Sequence, residues 1–178
     1  MPIHSTKEKM KPETTQSRPE FVISRTLNAP RDLVWKALTE PDRMQAWFTP
    51  RGFAARVASQ DLRPGGLYHY CLTSADGHEM WGKVVYREIE APTRLVYINS
   101  FSDANGGTTR HPMAKAWPLE LITTFTLAEA NGKTELTITW LPQNATPEEI
   151  ECFNTSHAGM TQGWTGTLDN LSEYLAKP

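Results

Sequence analysis

The spacing of apolar positions changes period several times along this chain, and each change marks an element. Phe21 to Leu27 has the aromatic and β-branched content of a strand and stops at Asn28-Ala29-Pro30. Asp32 to Thr39 then reads as a short amphipathic helix ended by Pro41, and a second short helix runs from Asp42 to Trp47-Phe48. From Phe53 to Trp140 the signal is that of strands and turns, which predicts strands over 54–59, 66–73, 79–90, 94–101, 119–127 and 134–141. Asp76-Gly77, Ala91-Pro92 and Asn131-Gly132 sit between successive runs as hairpin-type turns, so neighbours in sequence are expected to be antiparallel neighbours in space. The helical period returns at the C-terminus. Ile150, Phe153, His157, Met160, Trp164, Leu168, Leu171 and Leu175 fall on one stripe, predicting a single long helix from Thr146 to Lys177. Thr146 is placed to cap it, Pro147 fits its first position, and Glu148 and Glu149 lie at the positive end of its dipole.

The order is strand, two helices, six strands, long helix, without a parallel βαβ pattern. It predicts an α+β domain over residues 20–178: a seven-stranded curved antiparallel sheet wrapped around the C-terminal helix, the one element large enough to cover a sheet face. Residues 1–19 are almost without large apolar side chains and are predicted to be a disordered tail. A length of 178 residues at 39% hydrophobic suits one core rather than two. The formal net charge of -2, with basic residues scattered, argues against a nucleic-acid partner. Cys71 and Cys152 have neither zinc spacing nor a disulfide framework, which makes a reducing cytoplasm the expected location. No apolar run approaches the roughly 20 residues of a membrane span.

Catalytic signatures are thin. There is no Gly-x-Ser-x-Gly elbow, no His-Glu-x-x-His, no phosphate loop and no metal-ligand spacing, so neither a metal nor a cofactor is expected. Asp61-Leu62-Arg63-Pro64-Gly65-Gly66 precedes a strand rather than a helix and reads as a tight turn, with Asp61 and Arg63 fixing it by pairing. His157 is the one weak catalytic candidate, with Glu120 or Tyr97 as a partner. Gly159, Gly163 and Gly166 beside the core stripe weaken a helix by roughly 1 kcal/mol each relative to alanine, which points to close backbone approach or a ligand. The 103–118 segment combines Asn105-Gly106-Gly107, two prolines, His111 and Trp117, and such a long loop suits a lid over a binding site.

Several short motifs occur together in order. They are Asn28-Ala29-Pro30 with Val34-Trp35, Trp47-Phe48, the 61–66 turn, Asp76-Gly77, Pro92-x-Arg94-Leu95-Val96 and Gly163-Trp164-x-x-Thr167-Leu168-x-x-Leu171. In this order they resemble the family named after the C-terminal domain of the activator of the 90-kDa heat-shock chaperone ATPase. That family belongs to the helix-grip SRPBCC superfamily with START and birch-pollen-allergen-like proteins. The resemblance implies a cavity between sheet and long helix that holds a small hydrophobic molecule. Its expected lining is Trp47, Phe48, Tyr68, Tyr70, Trp81, Phe101, His111, Trp117, Phe153, His157, Met160 and Trp164. It also raises a cyclase or aromatase activity, a homodimer and a co-chaperone role as alternatives. Chaperone binding is not expected, because the eukaryotic co-chaperone makes much of that contact through a separate N-terminal domain, which 19 residues cannot replace.

Overall fold

The structure, a computed structural model, describes residues 19–178, so the predicted tail lies, but for Pro19, outside the described residues. Strand β1 (Phe21–Leu27) leads through α1 (Arg31–Thr39) and α2 (Pro41–Trp47) to β2 (Phe53–Gln60), β3 (Leu67–Ser74), β4 (Glu79–Glu90) and β5 (Arg94–Ser102). A two-residue β6 (Thr108–Thr109) lies within the long loop, and β7 (Glu120–Ala130) and β8 (Lys133–Gln143) complete the sheet. The strand order is β1-β8-β7-β5-β4-β3-β2, antiparallel throughout, with β6 pairing β5 where β7 has left it. This is the expected helix-grip architecture with one more strand than predicted. A two-residue pairing such as Thr108 with Ser102 is too short to leave a periodic signal.

The turns obey their residues. Asn131 and Gly132 both have positive φ (53° and 73°), the two-residue hairpin geometry whose twist matches that of the strands. At the 61–66 turn Gly65 has φ of +81°, and a Cβ on Gly66 would strike the Asp61 carbonyl. Arg63 Nε donates to Asp61 Oδ2 at 2.7 Å, so this segment is the entry turn of β3.

The C-terminal helix is divided: α3 (Pro147–Thr155) and α4 (His157–Leu175) meet at Ser156. Thr155 and Ser156 explain the interruption. Their hydroxyls donate back to the carbonyls of Glu151 (2.9 Å) and Cys152 (2.6 Å), and Ser156 N–H reaches only to Phe153 O, a tighter three-residue step. The apolar stripe carries on across the break and so hides it from periodicity. Leu168 and Leu171 of α4 are fully buried with Leu27, Val34, Leu136 and Ile138, fixing the C-terminal half of α4 against β1, β8 and α1. Each such side chain contributes roughly 1.5–3 kcal/mol by leaving water. Trp47, at the end of α2, is buried with its indole N–H donating to Ala37 O at 2.8 Å.

The start of α3 is a reciprocal cap. Thr146 Oγ1 accepts from Glu149 N–H (3.2 Å), and Glu149 Oε2 accepts from Thr146 N–H (2.9 Å). Thr146→Ala is therefore expected to cost about 1 kcal/mol, read as a lower urea midpoint at unchanged slope. Glu149→Ala should cost more, because it also strands Arg110, its ion-pair partner.

Candidate functional site

Between the concave face of the sheet, α2, α4 and the 103–118 loop lies a pocket of about 760 Å³. Strand alternation decides which side chains reach it: Tyr68 and Tyr70 of β3, Val84 and Tyr86 of β4, and Tyr97 and Asn99 of β5. Tyr70 pairs in register with Gly82, and a Cβ at Gly82 would lie 2.5 Å from the Cζ and hydroxyl of Tyr70. The absence of a side chain there lets the phenol lie across the neighbouring strand.

The wall is a chain of ring contacts. Tyr68 stacks on Tyr70 (5.3 Å), Phe48 meets Tyr70 (6.1 Å) and Trp164 (6.4 Å), and Trp164 meets Phe125 (6.1 Å) and Trp140 (5.5 Å), mostly edge to face. Polar groups interrupt this surface without charging it. Burial pushes the Tyr70 phenol up to about 12, and burial with neighbouring phenols raises Tyr68 and Tyr97 as well, so all three are neutral at physiological pH. The Thr123 hydroxyl donates to Asn99 Oδ1 at 2.6 Å and orients that amide at the pocket wall.

The loop closes another side. His111 Nδ1 accepts from the N–H groups of Met113 (3.0 Å) and Ala114 (3.1 Å), which leaves the hydrogen of the neutral imidazole on Nε2. Its ring meets Phe101 (4.7 Å) and Trp117 (6.3 Å), and partial burial holds its pKa below the ordinary 6.5. Arg110 pairs with Glu149, whose side chain is 8% exposed, tying the loop to the start of α3. Arg110, with the Thr146 N–H, holds the Glu149 carboxyl below its usual range.

Gly159, Gly163 and Gly166 border the pocket, and a Cβ on any of them would meet no atom within 4 Å. Close backbone packing, one of the two expectations for them, is therefore not their role.

Of the expected lining residues, Trp47, Phe48, Tyr68, Tyr70 and Phe101 border the pocket, as do His111, Trp117, Met160 and Trp164. Trp81 borders it too, yet its ring lies among side chains of the outer face: it stacks on His69 (4.8 Å), Arg56 sits over it (5.0 Å), and its N–H donates to Glu79 Oε2 (3.1 Å). Phe153 and His157 do not border the pocket. His157 is held between the rings of Phe21 (5.6 Å) and Phe153 (5.3 Å), because its turn of helix faces β1 rather than the open groove. Its Nε2 is buried without a hydrogen-bond partner, so the expected pairing with Glu120 or Tyr97 does not form. Asn99, Phe125 and Arg51 were missed. The first two fall at inward positions once the inward face is known, and Arg51, on a loop, leaves no periodic mark.

A family model described as "Activator of Hsp90 ATPase homolog 1-like protein" matches residues 28–176. The chain belongs to this family. Among solved structures, a protein from Arthrobacter aurescens is 23% identical, with 90% of this chain and 88% of that one covered and a TM-score of 0.75. Protein Ms6760 from Mycobacterium smegmatis is 20% identical, with coverage of 90% and 93% and a TM-score of 0.74. Protein CV1439 from Chromobacterium violaceum is 26% identical, with coverage of 90% and 99% and a TM-score of 0.66. No curated protein matches the chain. The family and these neighbours share the helix-grip fold, and among the described residues no helix is long and apolar enough to cross a membrane.

Two outcomes follow from this geometry. Gly82→Ala should displace the Tyr70 ring and cost roughly 1–3 kcal/mol through overpacking, measured by urea unfolding. As pH falls below 6.5, unfolded chains take up a proton at His111 that folded ones resist, so stability declines until the folded pKa is passed. His111→Gln should flatten the decline of unfolding free energy as pH falls below 6.5.

Proposed function

We propose that this protein binds a small hydrophobic molecule with a flat or aromatic body in the pocket between sheet and C-terminal helix. The observation that carries this reading is the row of helix glycines facing open space. Three glycines weaken α4 by roughly 1 kcal/mol each relative to alanine, and no neighbouring atom requires them. A wall kept clear for a guest accounts for that cost. The volume of about 760 Å³ lies within the range of small-molecule sites, roughly 300–1,000 Å³. The lining joins apolar rings to a few neutral hydrogen-bonding groups, which suits a ligand that is mostly apolar with sparse polar atoms. The family's fold, in which a cavity lies at this place, supports the same reading, and the position of His157 outside the pocket favours binding over acid-base chemistry by that residue.

Gly163→Leu separates binding from packing. Leucine enters open space, so the helix should gain up to about 1 kcal/mol while the pocket fills. Titration with the neutral fluorophore N-phenyl-1-naphthylamine should show affinity falling about ten-fold or more, at least 1.4 kcal/mol, with a melting temperature equal to or above that of the parent. An unchanged affinity in a stabilised variant would refute the pocket as the binding site. Native mass spectrometry of the parent should in addition detect a co-purified molecule that the variant lacks.

A further inference from the structure

The charge pattern of the pocket wall is as selective as its shape. Of the 33 residues that border it, only Arg51 bears a formal charge at neutral pH with His111 neutral, and none is Asp, Glu or Lys. The chain as a whole is 21% charged, so an average sample of that size would hold about seven charged residues. Arg51 is also unpaired. Arg25, Arg43, Arg56, Arg63, Arg94 and Arg110 each pair with a carboxylate, whereas Arg31, Arg51 and Arg87 form no ion pair among the described residues, and of these three Arg51 alone borders the pocket.

Its backbone, by contrast, is fixed. Arg51 follows Pro50 in a turn in which Phe53 N–H donates to Pro50 O at 3.0 Å, and Gly52 supplies the positive φ of 85° that such a turn requires. The preceding carbonyl, Thr49 O, accepts from Asn170 Nδ2 of α4 at 3.0 Å. The turn is thus pinned to the same helix that carries the glycines, and it presents an unpaired, solvent-exposed guanidinium at the rim of an otherwise uncharged aromatic chamber.

From this arrangement, which rests on the binding reading above, we infer that the ligand is an aromatic monoanion whose carboxylate or sulfonate-like group meets Arg51 at the rim while its rings lie against Phe48, Tyr70, Trp140 and Trp164. A guanidinium offers two parallel N–H donors to such an oxyanion. Aromatic walls by themselves attract cations, but a cation entering here passes Arg51 and meets no carboxylate to neutralise it. The neutral phenols of Tyr68 and Tyr70 donate to carbonyl or ether oxygens on the ligand body and leave the sign of its charge to the rim.

Two probes share one ring system and differ in charge: 8-anilino-1-naphthalenesulfonate is anionic, and N-phenyl-1-naphthylamine is neutral. Arg51→Gln should weaken the anionic probe about five- to ten-fold, the worth of one partly screened charge-assisted contact, and leave the neutral probe within about two-fold. Arg51→Lys should restore part of the loss, and added salt should weaken the anionic probe more in the parent than in Arg51→Gln. Because Arg51 is exposed and makes no ion pair or side-chain hydrogen bond to any described residue, its variants should melt with the parent. Equal effects on both probes, or none on either, would overturn the charge assignment while leaving the pocket reading intact. Failure of the parent to bind either probe would overturn both. Displacement of the anionic probe distinguishes the sources of the anion: 2-naphthoate displacing it well below the concentration needed for decanoate supports an aromatic body, and decanoate displacing it equally well overturns that part.

Discussion

The long helix packs one face and leaves the adjoining one clear, and the rest of the interior follows from that asymmetry. Leu168 and Leu171 are fully buried against strand β1, strand β8 and helix α1, so the C-terminal half of α4 is fixed by apolar packing. One to three turns earlier Met160 and Trp164 continue that buried face, while Gly159, Gly163 and Gly166 beside it border the pocket, where a Cβ would meet nothing. Large side chains at the three glycine positions would have filled the groove. Packed on one face only, the helix roofs a chamber whose remaining walls are rings, mostly held edge to face.

Trp164 joins the two regimes. It is buried, and its ring touches Phe48, Phe125 and Trp140, so a single side chain ties the roof to helix α2 and to strands β7 and β8. The 103–118 loop closes the other side by different means. There the Arg110–Glu149 ion pair joins loop to helix terminus, and His111 organises its own loop by accepting two backbone hydrogen bonds. Apolar contact sets the roof, and polar contact sets the rim.

Much of this was legible in the residues. Turn chemistry at Asn131-Gly132 and at Pro64-Gly65-Gly66 places strands in order without knowledge of the tertiary structure, and the capping pattern at Thr146 and Glu149 marks the helix start to the residue. The break at Ser156 was hidden because the apolar stripe continues across it while hydroxyl back-bonding, not periodicity, interrupts the helix. Side-chain direction was the larger difficulty. An aromatic-rich strand such as β3, with Tyr68, His69 and Tyr70 in succession, does not declare which parity faces inward, and so Trp81 was expected inside although its ring packs among outer-face neighbours. His157 was misjudged for a related reason. A stripe spanning about seven turns covers more than one surface, and at the turn of His157 that surface is Phe21 of β1 rather than the chamber.

A wall made of glycines has a property that a wall of side chains lacks. Where leucine or methionine lines a chamber, its contour shifts with every rotamer change and can yield to an oversized guest. Along α4 the contour at Gly159, Gly163 and Gly166 is main chain, held by helical hydrogen bonds and unable to rearrange without unwinding. That side of the chamber therefore acts as a fixed gauge for thickness, and accommodation of differently shaped guests falls to Met160 and to the loop opposite.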